Sequence, residues 1–305
     1  MNKKTIKNKI KSTQSIKKIT RTMEMVSVAK MKKSLNLAES YKTFGLEAKR
    51  VLSILAEQRE KHVYSTAKDS EVKLLIVIAG QKGLCGGYNS NVYRKISREY
   101  KTEAERGNLR FICIGKYAEK IARRFDGKIK TPEKEISENP SNIILSFIGK
   151  DFTSSNSRAL IKNITGDFVE NKYKSVELIY TDFENVNTQV VTREILLPFK
   201  TRNIKDFDND ESASNTDNLE YTFEPSVNQV YAYTVNILLQ NIIVGSVFRA
   251  RAAEHAARMM AMKTASDNAT EMISELKLWY NKARQAAITQ EIAEISSAAM
   301  AMQEK

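Results

Sequence analysis

The residues whose types and spacing come nearest to chemistry are Gly80-Gln81-Lys82-Gly83-Leu84-Cys85-Gly86-Gly87-Tyr88-Asn89, set between an apolar run and a helical stretch. Phosphate-binding loops occupy such places, because glycines let a backbone approach a phosphate at a helix N-terminus. The spacing here is G-x-x-G-x-x-G-G, not G-x-G-x-x-G, and Lys82 is not followed by Ser or Thr. The stretch is therefore expected to be a tight strand-to-helix turn. Cys85 and Cys113 form no C-x-x-C pair, and with His62 and His255 distant no zinc spacing arises, so the thiols are expected to be packing residues. No Ser/His/Asp or Cys/His set is evident. The expectation is a chain without catalytic residues, cofactor or metal.

Charge points to a partner. Lys and Arg number 49 against 36 acids in 305 residues, and ten Lys and one Arg face the single Glu24 between Met1 and Lys33. Such an arm suits nucleic acid, as in a basic region ahead of a zipper with Lys3, Lys7, Lys11 and Lys18 near one face, or an acidic protein. No aromatic interrupts the first 40 residues to stack on bases, and Ile6, Ile10, Ile16 and Ile19 suggest a buried stripe of their own. From Asp206 to Glu224 there are seven acids and no base.

The elements that must position these residues follow from where breakers fall. The four prolines lie between Pro132 and Pro225, and nine of the eleven glycines between Gly80 and Gly166, so both ends are nearly free of them. From about Thr5 to His62, Ile16, Ile19, Met23 and Val26 recur at helical spacing; after an offset Ala38, Tyr41, Gly45, Ala48, Leu52 and Leu55 continue. The pattern predicts one long helix with a stutter in its seam. Ser226 to about Met302 predicts a second, with Ala269, Ile273, Leu276, Tyr280, Ala283 and Ala287 on its seam. Each stripe needs a partner, and the two helices are expected to pair antiparallel. Pro225–Phe248 is long enough to span a bilayer, but Asn228, Gln229, Asn236, Gln240 and Asn241 favour a buried helix of a soluble protein. After its first lysines the chain has no apolar signal-like core.

Between the helices the texture alternates. Val72–Ala79 and Leu109–Ile114 are near-continuous apolar runs, each followed by a helical stretch, and Ser141–Gly149, Ser175–Phe183 and Thr188–Leu197 add strand-like runs. Unbroken apolar strands alternating with helices predict a small α/β sheet covered on both faces.

Three stretches resemble the gamma-subunit family of F-type ATP synthases. Ile6–Ile10 with Gln14–Val26 is similar to its N-terminal helix, Gly83–Asn91 to its central turn, and Glu254–Met262 with Tyr280–Glu291 to its C-terminal signature. The resemblance implies a long antiparallel coiled coil of the N- and C-terminal helices, with a small Rossmann-like α/β domain inserted between them. The expected divisions are 1–62, 72–200, an acidic loop 201–224, and 225–305. It implies a non-catalytic rotor, one copy per complex. Its partners would be the alpha and beta subunits of the catalytic ring, the epsilon subunit and the membrane rotor ring, at the cytoplasmic face of a bacterial inner membrane. Matching positions imply ring contacts at Met23, Arg258, Arg284, Gln285, Thr289 and Glu291, and a foot at Tyr221 and Glu224. The stretch Gly80-Gln81-Lys82 departs from the family's Ser-Asp-Arg. The loop after Pro198 lacks the paired cysteines of the chloroplast redox switch, so thiol regulation of that type is not expected.

Overall fold

The computed structural model describes residues 3–57, 63–66, 68–126, 142–147, 152, 154–199 and 223–303. The acidic loop expected at 201–224 lies almost wholly outside them. The elements run α1 (Lys3–Glu57), β1 (Lys73–Ile78), α2 (Tyr88–Glu99), α3 (Lys101–Glu105), β2 (Leu109–Ile114), α4 (Lys116–Asp126), β3 (Ile143–Phe147), α5 (Ser154–Val169), β4 (Ser175–Phe183), β5 (Gln189–Leu197) and α6 (Val227–Gln303). At ~1.5 Å per residue, α1 is ~80 Å long and α6 ~115 Å.

The strands form one sheet in the order β3-β2-β1-β4-β5, parallel except for the antiparallel pair β4–β5. Successive side chains of a strand point to opposite faces. Leu74, Ile76 and Ile78 accordingly pack with α5, the end of α1 and the start of α6, whereas Leu75 and Val77 pack with α2, α3 and α4. The sheet is covered on both faces, as its unbroken apolar runs predict.

Contacts divide the chain into two units. One comprises Ala29–Ala257; the other comprises Met1–Val28 with Arg258–Lys305. In the first unit α1 and α6 run antiparallel. Tyr41 stacks on Phe248 with ring centroids 5.6 Å apart, and a Cβ on Gly45 would lie 2.8 Å from Asn241 Oδ1. The Pro225–Phe248 stretch is a core helix there: Tyr231, Val235, Leu238, Leu239, Ile243, Val244 and Val247 are buried against the sheet. By length and composition α6 could cross a membrane, yet 56% of its most apolar window is buried within the protein.

In the second unit the same two helices pair with far less apolar burial, Thr13 Oγ1 lying 3.9 Å from Met272 Sδ. The seam on α1 differs from the predicted one. Buried or half-buried positions recur at Ile6, Ile10, Thr13, Lys17, Thr20, Glu24, Ser27, Met31, Ser34, Ala38, Tyr41, Gly45, Ala48, Leu52 and Leu55. Spacings of four and three alternate throughout, a heptad without a stutter. Ile16, Ile19 and Val26 are 51%, 59% and 47% exposed. The reason is hydroxyl chemistry. Thr13, Thr20 and Ser27 donate to the carbonyls of Lys9, Lys17 and Met23 of their own helix, at 2.9, 3.0 and 2.7 Å. Satisfied in this way, they can be buried like small apolar residues. On α6 the predicted seam holds: Ala269 and Ile273 are buried, and Leu276, Tyr280, Ala283 and Ala287 half-buried.

Candidate functional site

In an open parallel sheet a ligand usually enters beyond the C-terminal strand ends, where strand order reverses. Here that switch lies between β1 and β4, above Gly80 and Phe183. The crevice is filled by the chain itself. Ala253 of α6 is fully buried against Cys85 and Tyr88, with Phe183 and Ala257 packed alongside. Tyr88 donates to the Ala250 carbonyl at 3.0 Å, fastening the first turn of α2 to α6.

The Gly80–Gly87 turn is a structural joint, as its spacing predicts. The Gly80 N–H donates to Asn89 Oδ1 at 2.9 Å, and Asn89 Nδ2 donates to Cys85 Sγ at 3.3 Å. The Tyr117 N–H donates to the Gly80 carbonyl at 3.0 Å, bringing α4 to the same point. A Cβ on Gly80 would meet Asn89 at 3.0 Å and Glu254 at 3.3 Å, and one on Gly83 would meet the Tyr117 hydroxyl at 2.9 Å. Gly80 and Gly83 thus admit protein neighbours, whereas Gly86 faces open space and is required by its φ of +57°. Cys85 and Cys113 are buried, and burial pushes the Cys113 thiol up to about 12, so it is protonated and unreactive at neutral pH. Among the described residues no group of three His, Cys, Asp or Glu is placed to hold a metal.

The surface that asks for a partner lies elsewhere, in the unit of Met1–Val28 and Arg258–Lys305. All three apolar clusters among the described residues belong to Ala29–Ala257. The other unit leaves Ile16, Ile19, Met25 and Val26 exposed on α1, and Leu278, Trp279, Ile288, Ile292 and Ile295 exposed on α6. From Arg284 to Ser297 every residue of α6 is exposed except Ala287, which is half-buried. A bare helix that shows a face of isoleucines is poorly solvated there, and its natural condition is to have that face covered.

Of the expected contact residues, Arg284, Gln285, Thr289 and Glu291 fall on this bare stretch, and the Thr289 hydroxyl donates to the Gln285 carbonyl at 3.0 Å. Met23 is half-buried on α1, and Arg258 is only 7% exposed. Arg258 is thus held by its own chain, whereas the Arg284–Glu291 group is presented to solvent. Glu224 is exposed just before α6, and Tyr221 lies outside the described residues.

Sequence reasoning missed the polar groups inside the sheet. Glu177 on β4 is 1% exposed and accepts from Arg193 Nε at 2.6 Å, from Ser175 Oγ at 2.8 Å and from the Tyr100 hydroxyl. Burial first, then this bond to Glu177, drives the Tyr100 phenol upward. A lone acid in the apolar run Val176-Glu177-Leu178-Ile179 was the available signal, since a buried charge requires partners.

Comparison with known proteins agrees with this arrangement. A profile of the family described as ATP synthase matches residues 2–302. The ATP synthase gamma chain of Xanthomonas campestris pv. campestris is 35% identical over 301 residues, covering 97% of this chain and 98% of that one. The gamma chain of Nitrosococcus oceani is 33% identical over 307 residues, covering 98% and 99%. Among solved structures, a chain of the Euglena gracilis mitochondrial ATP synthase (OSCP/F1/c-ring, rotational state 3) shares the fold with a TM-score of 0.63 at 17% identity, covering 98% of this chain and 94% of that one. A chain of the Tetrahymena thermophila mitochondrial ATP synthase central stalk/c-ring superposes with a TM-score of 0.57 at 22% identity, covering 81% and 99%. With the profile matched over nearly its whole length and relatives above 30% identity end to end, the chain belongs to the ATP synthase gamma chain family.

Proposed function

We propose that the chain is the central-stalk rotor of an F-type ATP synthase, non-catalytic itself, turned by ion flow through a membrane ring and presenting different sides to successive catalytic subunits. The observation that carries this reading is the bare end of α6, where Ile288, Ile292 and Ile295 stand exposed beside Arg284, Gln285, Thr289 and Glu291. Such a stretch suits enclosure by a surrounding ring. Its isoleucines share one face and most of its polar groups the others, so it can distinguish one catalytic subunit from the next at each angle. The exposed lysines of α1 suit an acidic protein partner. Glu224, with Tyr221 close by in sequence, is assigned to the foot that meets the epsilon subunit and the membrane ring. The complex would face the cytoplasm of a bacterial inner membrane, with this chain held peripherally.

The test is to tag this chain, solubilise membranes in mild detergent and identify copurifying subunits by mass. Alpha, beta and epsilon subunits with a membrane rotor ring, and one copy of this chain per complex, are expected. Recovery of the chain alone, or with nucleic acid and no ATP synthase subunits, would sink the proposal.

A further inference from the structure

On the sheet face that carries α1 and α6, two acids of the β4–β5 hairpin lie beside cations of both helices. Arg249 of α6 donates through Nη2 to Asp182 of β4, and its Nη1 lies 3.5 Å from the Tyr180 hydroxyl. Lys49 of α1 and Glu194 of β5 line one cavity of about 20 Å³, together with Leu196, Phe199, Leu239 and Ile242. In the hairpin register Glu194 stands opposite Leu178, and Asp182 opposite Val190. The two acids are therefore four residues apart along the ladder, about 14 Å at ~3.4 Å per residue.

Static stability gives little reason for the Arg249–Asp182 pair. The Arg249 side chain is 47% exposed, and half-exposed ion pairs contribute little to folding. Mechanics gives a better one. A turning force is a couple, which a joint resists best through directional contacts at two separated points. Apolar burial is non-directional, whereas a guanidinium–carboxylate pair favours one geometry. Here Arg249 ties α6 to Asp182, α1 brings Lys49 to the cavity that Glu194 lines, and both acids belong to the same hairpin.

We infer that Arg249 with Asp182 and Lys49 with Glu194 lock the β4–β5 hairpin to both terminal helices at two separated points, and that turning force passes between sheet and helices through this lock. The inference rests on the rotor reading above, and the four are positioning residues.

The test uses the whole ATP synthase in inverted membrane vesicles, with ions pumped per ATP hydrolysed as the readout and subunit content checked in parallel. Two variants of this chain are compared: the neutralised Asp182→Asn/Glu194→Gln and the charge-exchanged Asp182→Arg/Arg249→Asp. The neutralised complex should assemble, retain ATP hydrolysis once its catalytic sector is released from the membrane, and pump severalfold fewer ions per ATP. The exchanged complex should recover most of the pumping. Wild-type pumping per ATP in the neutralised complex overturns the lock, as does an assembled exchanged complex no better coupled than the neutralised one. Should the neutralised variant fail to assemble, Arg249→Lys decides. It keeps the charge and loses the fork, so reduced pumping supports the lock and wild-type pumping overturns it. A wild-type chain found in no ATP synthase would instead sink the rotor reading.

Discussion

Arg284 and Gln285 carry the sharpest claim at the scale of single residues. Both are exposed on α6 among Ala283, Ala286, Ala287 and Ile288, and neither lies on its seam. Replacing both with Ala should leave the isolated chain as helical and as stable as before, because Ala is a good helix former. In the complex it should remove contacts of roughly 1.5–3 kcal/mol each from one rotational state and not from another. The expected result is an assembled ATP synthase with impaired ATP turnover and weaker ATP-driven pumping, whereas Lys3→Ala/Lys4→Ala changes little. Normal turnover and pumping by Arg284→Ala/Gln285→Ala would reduce the pair to a solvated helix face. Their exposure could be anticipated from polar groups standing alone among alanines. The burial of Arg258 could not, because only the folded chain shows which neighbours close over it.

Strand β4 illustrates what an element decides. Its alternate residues point to two different cores, Val176, Leu178 and Tyr180 toward the helix pair and Ile179 toward α2 and α4. Tyr180 is buried, and burial raises its phenol to about 12. The folded state thus favours the protonated hydroxyl more than the unfolded chain does, whose tyrosines titrate near ~10. This stabilisation is complete below about pH 10 and is lost as pH rises through about 12. Tyr100 and Tyr173, also raised mainly by burial, share the effect. Urea unfolding midpoints should therefore drop between pH 10 and 12, and drop less steeply in Tyr180→Phe. Parallel pH curves for the two proteins would show that folding does not raise the Tyr180 phenol. That β4 is a buried strand follows from its apolar run. Which of its polar residues find partners depends on Arg193 and Arg249, 16 and 67 positions away.

For the molecule as a whole, the Ala29–Ala257 unit draws its core from both ends of the chain. Ala48, Leu52 and Leu55 of α1 join Tyr231 to Ala250 of α6 on one face of the sheet. Deleting Ser226–Lys305 removes that side of the core, where each buried aliphatic side chain contributes about 1.5–3 kcal/mol. It also strips α1 of its partner. Circular dichroism of the truncated chain should show α1 largely unfolded, or the protein should aggregate. A soluble monomer that keeps full α1 helicity would mean that α1 is stable without α6.

The sequence by itself determined the two breaker-free helices, the alternating middle and the structural character of the Gly80–Gly87 turn. Proline and glycine placement, 3.6-residue and unbroken apolar patterns, and glycine spacing are all local properties that a chain carries before it folds. It also held the α6 seam, whose members are apolar. Tertiary structure alone decided that Thr13, Thr20 and Ser27 face the partner while Ile16, Ile19 and Val26 face outward. A hydroxyl bonded to its own helix can be buried like a methyl, and an isoleucine stays exposed where the folded chain has nothing to cover it. Tertiary structure alone also placed Ala253 in the crevice at the sheet's switch point and Arg249 beside Asp182. Those pairings join residues at least 67 positions apart, and no local pattern encodes which distant residue the folded backbone will bring alongside.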